Sequence, residues 1–139
     1  MSVSDAEQSA LIDAVRTVAR AEITPRFRAL SDEDVDEKSS AEDLVTIADK
    51  RAEVALTAAV KDILPGARVV GEEAVAADKS ILDDVAKPGR TVIIDPIDGT
   101  WNFANGVAVF GVILAVIEDG ETVMGLLYDR VGYDWVVAR

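Results

Sequence analysis

The chain contains no cysteine and no histidine. Without Cys, disulfides, thiolate zinc sites and Cys nucleophiles are excluded. Without His, neither a Ser-His-Asp triad nor a His-ligated transition metal can be built within the chain. Any general base must be Asp, Glu, Lys, Tyr or a metal-bound water. No apolar run has the length needed to span a bilayer. The opening residues, Met1-Ser2-Val3-Ser4-Asp5, lack the basic and apolar regions of a signal peptide, so the expected location is cytoplasmic. Basic residues are also scarce, with 14 Lys and Arg against 26 Asp and Glu and a formal charge of −12. That field repels nucleic acid and anionic membranes, so neither is an expected partner. It repels phosphate as well, so a phosphate site here needs cations to reverse the local sign.

What is present suits one domain with a real core: 139 residues, half of them hydrophobic. Ser4-Asp5-Ala6-Glu7 is a capping box. Leu11, Ala14, Val15, Val18 and Ala19 follow at helical spacing, with Ile23 and Phe27 extending the face until Pro25 kinks or ends it. Residues 31–37 are acidic and read as loop. A second helix is expected from near Thr46, with Ala52, Ala55, Leu56, Ala59 and Ile63 on one face and Pro65-Gly66 at its end. Residues 68–70 read as a short strand and 74–90 as irregular, with a helical turn near 81–85. Strands are expected at 91–94, 107–117, 122–128 and from 133, with a hairpin turn at Glu118-Asp119-Gly120-Glu121. The expected class is α+β, two N-terminal helices on a mainly antiparallel sheet.

Three segments place carboxylates at strand ends or helix starts: Asp43-Leu44-Val45-Thr46-Ile47-Ala48-Asp49, Gly71-Glu72-Glu73, and Asp95-Pro96-Ile97-Asp98-Gly99-Thr100. Each has an ordinary structural reading. Asp49 suits a helix N-terminus through the macrodipole. Gly71-Glu72-Glu73 suits an exposed turn, and Pro-Ile-Asp-Gly is a turn sequence in its own right. The third segment also has a chemical reading. Carboxylates at a strand end hold hard cations such as Mg²⁺, and free N–H groups at the start of a turn or helix hold phosphate. Trp101 and Phe103 suit core or wall positions, and Asn102 suits a turn cap.

Taken together, the three segments resemble the motifs of the inositol monophosphatase family, lithium-sensitive, Mg²⁺-dependent phosphatases of sugars and nucleotides. Lys38-Ser39-Ser40 with Asp43 through Asp49 resembles the first motif, Gly71-Glu72-Glu73 the second, and Asp95 through Phe103 the signature nonapeptide. The resemblance implies a phosphomonoesterase with Mg²⁺ as cofactor and a small phosphate monoester as substrate. It implies that Glu72, Asp95 and the carbonyl of Ile97 hold one ion, and that Asp95 and Asp98 hold a second. Gly99 and Thr100 would grip the phosphate through their N–H groups. Glu72 and Thr100 would position the attacking water, Asp49 would support Thr100, and Lys38 would act electrostatically at the same mouth. A homodimer is compatible with this reading. Two ions can stabilise the attacking and leaving oxygens of an in-line displacement together, which suits a chain without a His base.

The Trp-Asn-Phe continuation resembles that of the inositol-monophosphatase-type members of the family, and this resemblance favours an inositol phosphate. The alternatives are 3′-phosphoadenosine phosphate, histidinol phosphate, fructose 1,6-bisphosphate, or a non-catalytic metal-binding module. The resemblance covers only the family's N-terminal part. Its later Trp-Asp-x-Ala-Ala-Gly motif, which supplies a further aspartate, has no counterpart here, since Asp134-Trp135 runs in the reverse order. The expectation is therefore an N-terminal α+β domain from a longer phosphatase whose C-terminal α/β domain is absent, with apolar surface left uncovered.

Overall fold

The computed structural model describes residues 2–139. Helix α1 spans Asp5–Val18 and opens with the capping box read from the sequence. The Glu7 N–H donates to Ser4 Oγ at 3.1 Å, and the Ser4 N–H donates to Glu7 Oε2 at 2.7 Å. Two of the helix's orphan donors are thereby satisfied locally. Leu11, Val15 and Val18 form its buried face. The chain then loosens into one π turn at Ala19–Ile23 and tightens into a 3₁₀ turn at Thr24–Arg26, which contains Pro25. Proline lacks the N–H that would continue the α ladder. Ile23 and Phe27 carry the apolar face onward.

Residues 31–37 are not loop throughout. Asp32–Asp34 form a 3₁₀ turn, and strand β1 (Val35–Glu37) pairs antiparallel with β2 (Leu44–Thr46) in a small separate hairpin. Acidic composition concealed it because β1 is largely solvated and short. Helix α2 (Ile47–Ile63) starts where Thr46 caps it. Its most buried stripe runs through Ala48, Ala52, Leu56 and Val60, so the face is turned slightly from one centred on Ala55 and Ala59.

The main sheet has five strands in the order β3 (Arg68–Gly71), β4 (Arg90–Asp98), β5 (Gly111–Glu118), β6 (Glu121–Asp129) and β7 (Asp134–Ala138). β4 to β7 form an antiparallel meander, but β3 and β4 run parallel. A parallel pair needs a crossover. Here it consists of a short helix α3 (Glu72–Ala77) and a 3₁₀ segment at Lys79–Ala86, in a region expected to be mostly irregular. The long apolar strand expected from residue 107 begins only at Gly111. The 107–110 segment is instead held by the next helix, α4 (Thr100–Ala104), as Asn102 Nδ2 donates to the Val109 carbonyl at 2.8 Å.

The β5–β6 turn puts Asp119 at φ 50° and Gly120 at φ 86°. Two successive left-handed residues match the twist of a two-residue hairpin. α1 and α2 lie on one face of the sheet, over Val92, Ile94, Val112, Leu114, Val116, Met124 and Leu126. Arg90 ties that layer to the ends of the central strands β4 and β5 by pairing with Glu7 of α1 at 2.9 Å and with Glu118 of β5. Leu127 and Val136, which alternate with core-facing residues, remain exposed on the sheet. No helix among the described residues is long and apolar enough to cross a membrane.

Candidate metal and phosphate site

The parallel pair sets the first part of the site. Gly71 stands opposite Ile94, so the next residue on each chain, Glu72 and Asp95, emerges side by side. Burial first, and then the hydrogen bonding and negative charge of Glu72, raise the Asp95 carboxyl. Glu72 is the first residue of α3, not part of an exposed turn.

The second part depends on a bulge. Asp95 pairs with Ile113 and Asp98 with Gly111, three steps along β4 against two along β5. In a regular strand, residues three apart point to opposite faces. The extra residue restores the phase, so both aspartates project from the face opposite the helices. Pro96 lies inside this bulge, where a missing N–H is tolerated. Pro-Ile-Asp thus continues a strand and is not a free turn.

The turn comes at Gly99, which has φ 89° and leads into α4. A Cβ there would approach the Val109 carbonyl oxygen to 3.0 Å. Both the backbone conformation and the crowding therefore require glycine. The first N–H groups of α4, including that of Thr100, have no acceptor within the helix. Phe103 anchors the helix, with its ring 5.0 Å from Phe110 and 5.8 Å from Phe27. Trp101 is about half exposed beside the motif. An open depression of ≈ 480 Å³, lined by Asp98, Gly99, Asn102, Val109 and Gly111 among others, adjoins these residues.

The third part is Asp49, fully buried at the start of α2. Its Oδ2 accepts from the Thr46 N–H at 2.8 Å and from Thr46 Oγ1 at 2.6 Å. Its Oδ1 lies 2.9 Å from Thr100 Oγ1, which is also 2.9 Å from the carbonyl oxygen of Ile97. One hydroxyl proton serves one of these two acceptors at a time. Lys38, just past β1, has its ammonium 3.4 Å from Glu72 and 3.2 Å from Glu73.

Charge is concentrated here. Burial, then the hydrogen bond and charge of Glu72, then the charges of Asp98 and Asp49, push Asp95 up to about 8. Its Oδ1 is buried with no hydrogen-bond partner. Burial raises Glu73 to about 7 against the pull of Lys38. It raises Asp49 too, against the hydrogen bonds from Thr46 and Thr100. Burial lowers Lys38, but the charges of Glu73 and Glu72 outweigh it and leave the ammonium raised. Crowded carboxylates that hold protons so far above their ordinary range indicate a demand for positive charge.

The structure thus brings together Glu72, Asp95, Ile97, Asp98, Gly99, Thr100, Asp49 and Lys38. It does not gather three acidic side chains of the described residues into a closed cluster. Glu72 turns toward Lys38 while Asp98 stays exposed. Sequence reasoning missed Glu53, a buried carboxylate of α2 that meets the start of α3. Its signal was an acid four residues after Asp49 on the apolar stripe of Ala52 and Leu56.

Comparison with known proteins identifies the family and the fold. The chain is 41% identical over 92 residues to inositol monophosphatase 1 of Bos taurus, covering 66% of this chain and 32% of the relative. It is 37% identical over 97 residues to inositol-1-monophosphatase of Bacillus subtilis, covering 70% and 35%. Among solved structures, an IMPase of Thermotoga maritima superposes with a TM-score of 0.80 at 26% identity, over 95% of this chain and 47% of that one. The chain thus spans about a third of these curated relatives and just under half of that solved chain. The model of the inositol monophosphatase family matches residues 5–134, and the chain belongs to that family.

Proposed function

We propose that this chain carries the metal- and phosphate-binding half of a Mg²⁺-dependent phosphomonoesterase acting on inositol monophosphate or a related sugar or polyol phosphate. The observation that carries the reading is Asp95, raised to about 8 with one buried oxygen unpartnered. It stands beside Glu72 and on the same face as Asp98. All the donors are oxygens, namely three carboxylates and the Ile97 carbonyl, which suits a hard cation. Glu72, Asp95 and Ile97 would hold one ion, and Asp95 with Asp98 a second. When bound, such ions supply Lewis-acid stabilisation to the phosphoryl oxygens and acidify water.

The chain's own residues do the rest. The Gly99 and Thr100 N–H groups, at a helix start, orient the phosphate through backbone donors that need no positive side chain. Asp49 fixes the Thr100 hydroxyl, and Glu72 with that hydroxyl aligns a water for in-line attack. Lys38 offsets the negative field at the mouth. The relatives' names support this substrate class, one of them being a fructose-1,6-bisphosphatase/inositol-1-monophosphatase of Thermotoga maritima at 31% identity. A cytoplasmic location, lithium sensitivity and a homodimer accompany the reading.

The test is phosphate release from inositol 1-phosphate with Mg²⁺ titrated, set beside fructose 1,6-bisphosphate, histidinol phosphate and 3′-phosphoadenosine phosphate. Asp95→Asn and Glu72→Gln are each expected to abolish release, and lithium to inhibit it. Full turnover in either variant overturns the assignment. Mg²⁺ binding without turnover on any substrate reduces the chain to a metal-binding module.

A further inference from the structure

We infer that Glu53 is a positioning residue of the proposed metal site, and that Gly71 is glycine to admit it. The role rests on the reading of Glu72 as a metal ligand. α3 has only six residues and opens on Gly71, which has no side chain to cap it. A helix that short does not hold itself in water. Its cap comes from another element. Glu53 reaches from the second turn of α2, and its Oε1 accepts from the Glu73 N–H at 2.7 Å while its Oε2 accepts from the Ala74 N–H at 2.9 Å. These are the donors that an N-cap side chain would satisfy.

Glu53 is more than nine-tenths buried; burial raises its carboxyl above the ordinary range, and the Glu73 and Ala74 N–H groups pull it back only in part. A Cβ on Gly71 would lie 2.3 Å from the Glu53 carboxyl carbon and 2.5 and 2.6 Å from its oxygens. The φ of Gly71 is −96°, which any residue adopts, so glycine is required here for space and not for conformation. Glu72 lies between Gly71 and the two capped amides. Its backbone therefore leads directly into two amides held by one carboxylate that also packs over Gly71, which sets where the Glu72 side chain starts relative to Asp95. Glu53 itself need not touch a cation or substrate.

The test uses the 139-residue chain and Mg²⁺ alone, with binding measured calorimetrically and folding by the thermal midpoint. Glu53→Gln keeps the shape but offers an NH₂ where one amide needs an acceptor. Gly71→Ala keeps Glu53 but displaces its carboxylate. Each folded variant is expected to bind Mg²⁺ about 10- to 100-fold more weakly, the usual effect of losing a partner behind a ligand. The double variant Glu53→Ala, Gly71→Ala is expected to be no weaker than Glu53→Ala alone, because the collision and the clamp vanish together.

A lowered thermal midpoint with wild-type Mg²⁺ affinity in either folded variant overturns the inference and leaves a purely structural cap. If Glu53→Gln does not fold, Gly71→Ala decides. If neither folds, the positioning role is also overturned. If the wild type binds no Mg²⁺, the metal-site reading fails first and the role of Glu53 falls with it.

Discussion

Helices α1 and α2 begin with the same device in opposite surroundings. At α1, Ser4 and Glu7 close a capping box at the surface. At α2, Thr46 and Asp49 close one in the interior. In each box one carboxylate oxygen serves the helix and the other reaches outside it. Glu7 Oε1 takes Arg90 at 2.9 Å, and Asp49 Oδ1 faces Thr100 at 2.9 Å. The first link ties a helix to the start of the interior strand β4. The second ties a helix to the β4–α4 junction that carries the proposed metal and phosphate site. The motif alone therefore does not separate structure from chemistry; burial and the identity of the outside partner do.

Breaking the inner box is expected to have the largest effect. Asp49→Ala strands the Thr46 N–H and hydroxyl proton in the interior without an acceptor, while the Thr46 cap itself remains, costing about 2–4 kcal/mol. It also frees Thr100, so phosphate release is expected to fall about a hundredfold or more. Urea unfolding and the release assay measure the two effects separately. Thr100→Val separates them further, because it leaves the box intact. Its expected cost is below about 1.5 kcal/mol, with activity still falling about a hundredfold. Activity close to wild type in Thr100→Val would remove the link from Asp49 to the chemistry.

Breaking the outer box gives the smaller contrast. Ser4→Ala is expected to cost about 1 kcal/mol and Thr46→Ala nearer 2, with catalysis touched only by the latter. Equal costs in urea would mean that burial of the box adds nothing.

The two carboxylates also titrate in opposite senses. Glu7 is lowered from 4.5, chiefly by the Ser4 N–H. Its contribution is present above 4.5 and is lost as pH falls through its folded value. Asp49 is raised from 3.8 by burial. The folded chain then binds the proton more tightly than the unfolded one, so stability from this group declines as pH rises above 3.8 toward its folded value. Asp95, raised to about 8, extends that decline toward neutrality, and bound Mg²⁺ is expected to reverse it by favouring the ionised form. Stability curves for Glu7→Gln and Asp49→Asn should therefore depart from wild type in opposite directions across the acid range. The smallest expected effect is the Mg²⁺-induced rise in thermal midpoint at low pH, which should grow as pH increases.

Much of this was legible in the residues. The Ser4–Glu7 box, the apolar faces of both helices, the Asp119-Gly120 hairpin and the three acidic segments are local patterns, and local patterns fix local structure. The parallel β3–β4 pair was not legible, because the crossover that permits it hides in a mixed stretch with weak periodicity. β1 was masked by its acidic composition. The bulge at Asp95–Asp98 was not legible either, since it exists only against the register of β5.

The sequence by itself determined which chemistry is available. With no Cys or His and with carboxylates in three short segments, oxygen ligands and hard cations remain. Side-chain type settles that before any folding. The tertiary structure decided which acids meet. It placed Glu72 beside Asp95 through a parallel register, turned Asp98 to the same face through one extra residue, and brought Asp49 under Thr100 and Glu53 under α3. Those juxtapositions join residues far apart in the chain. They are set by strand register and helix packing, which no local spacing encodes.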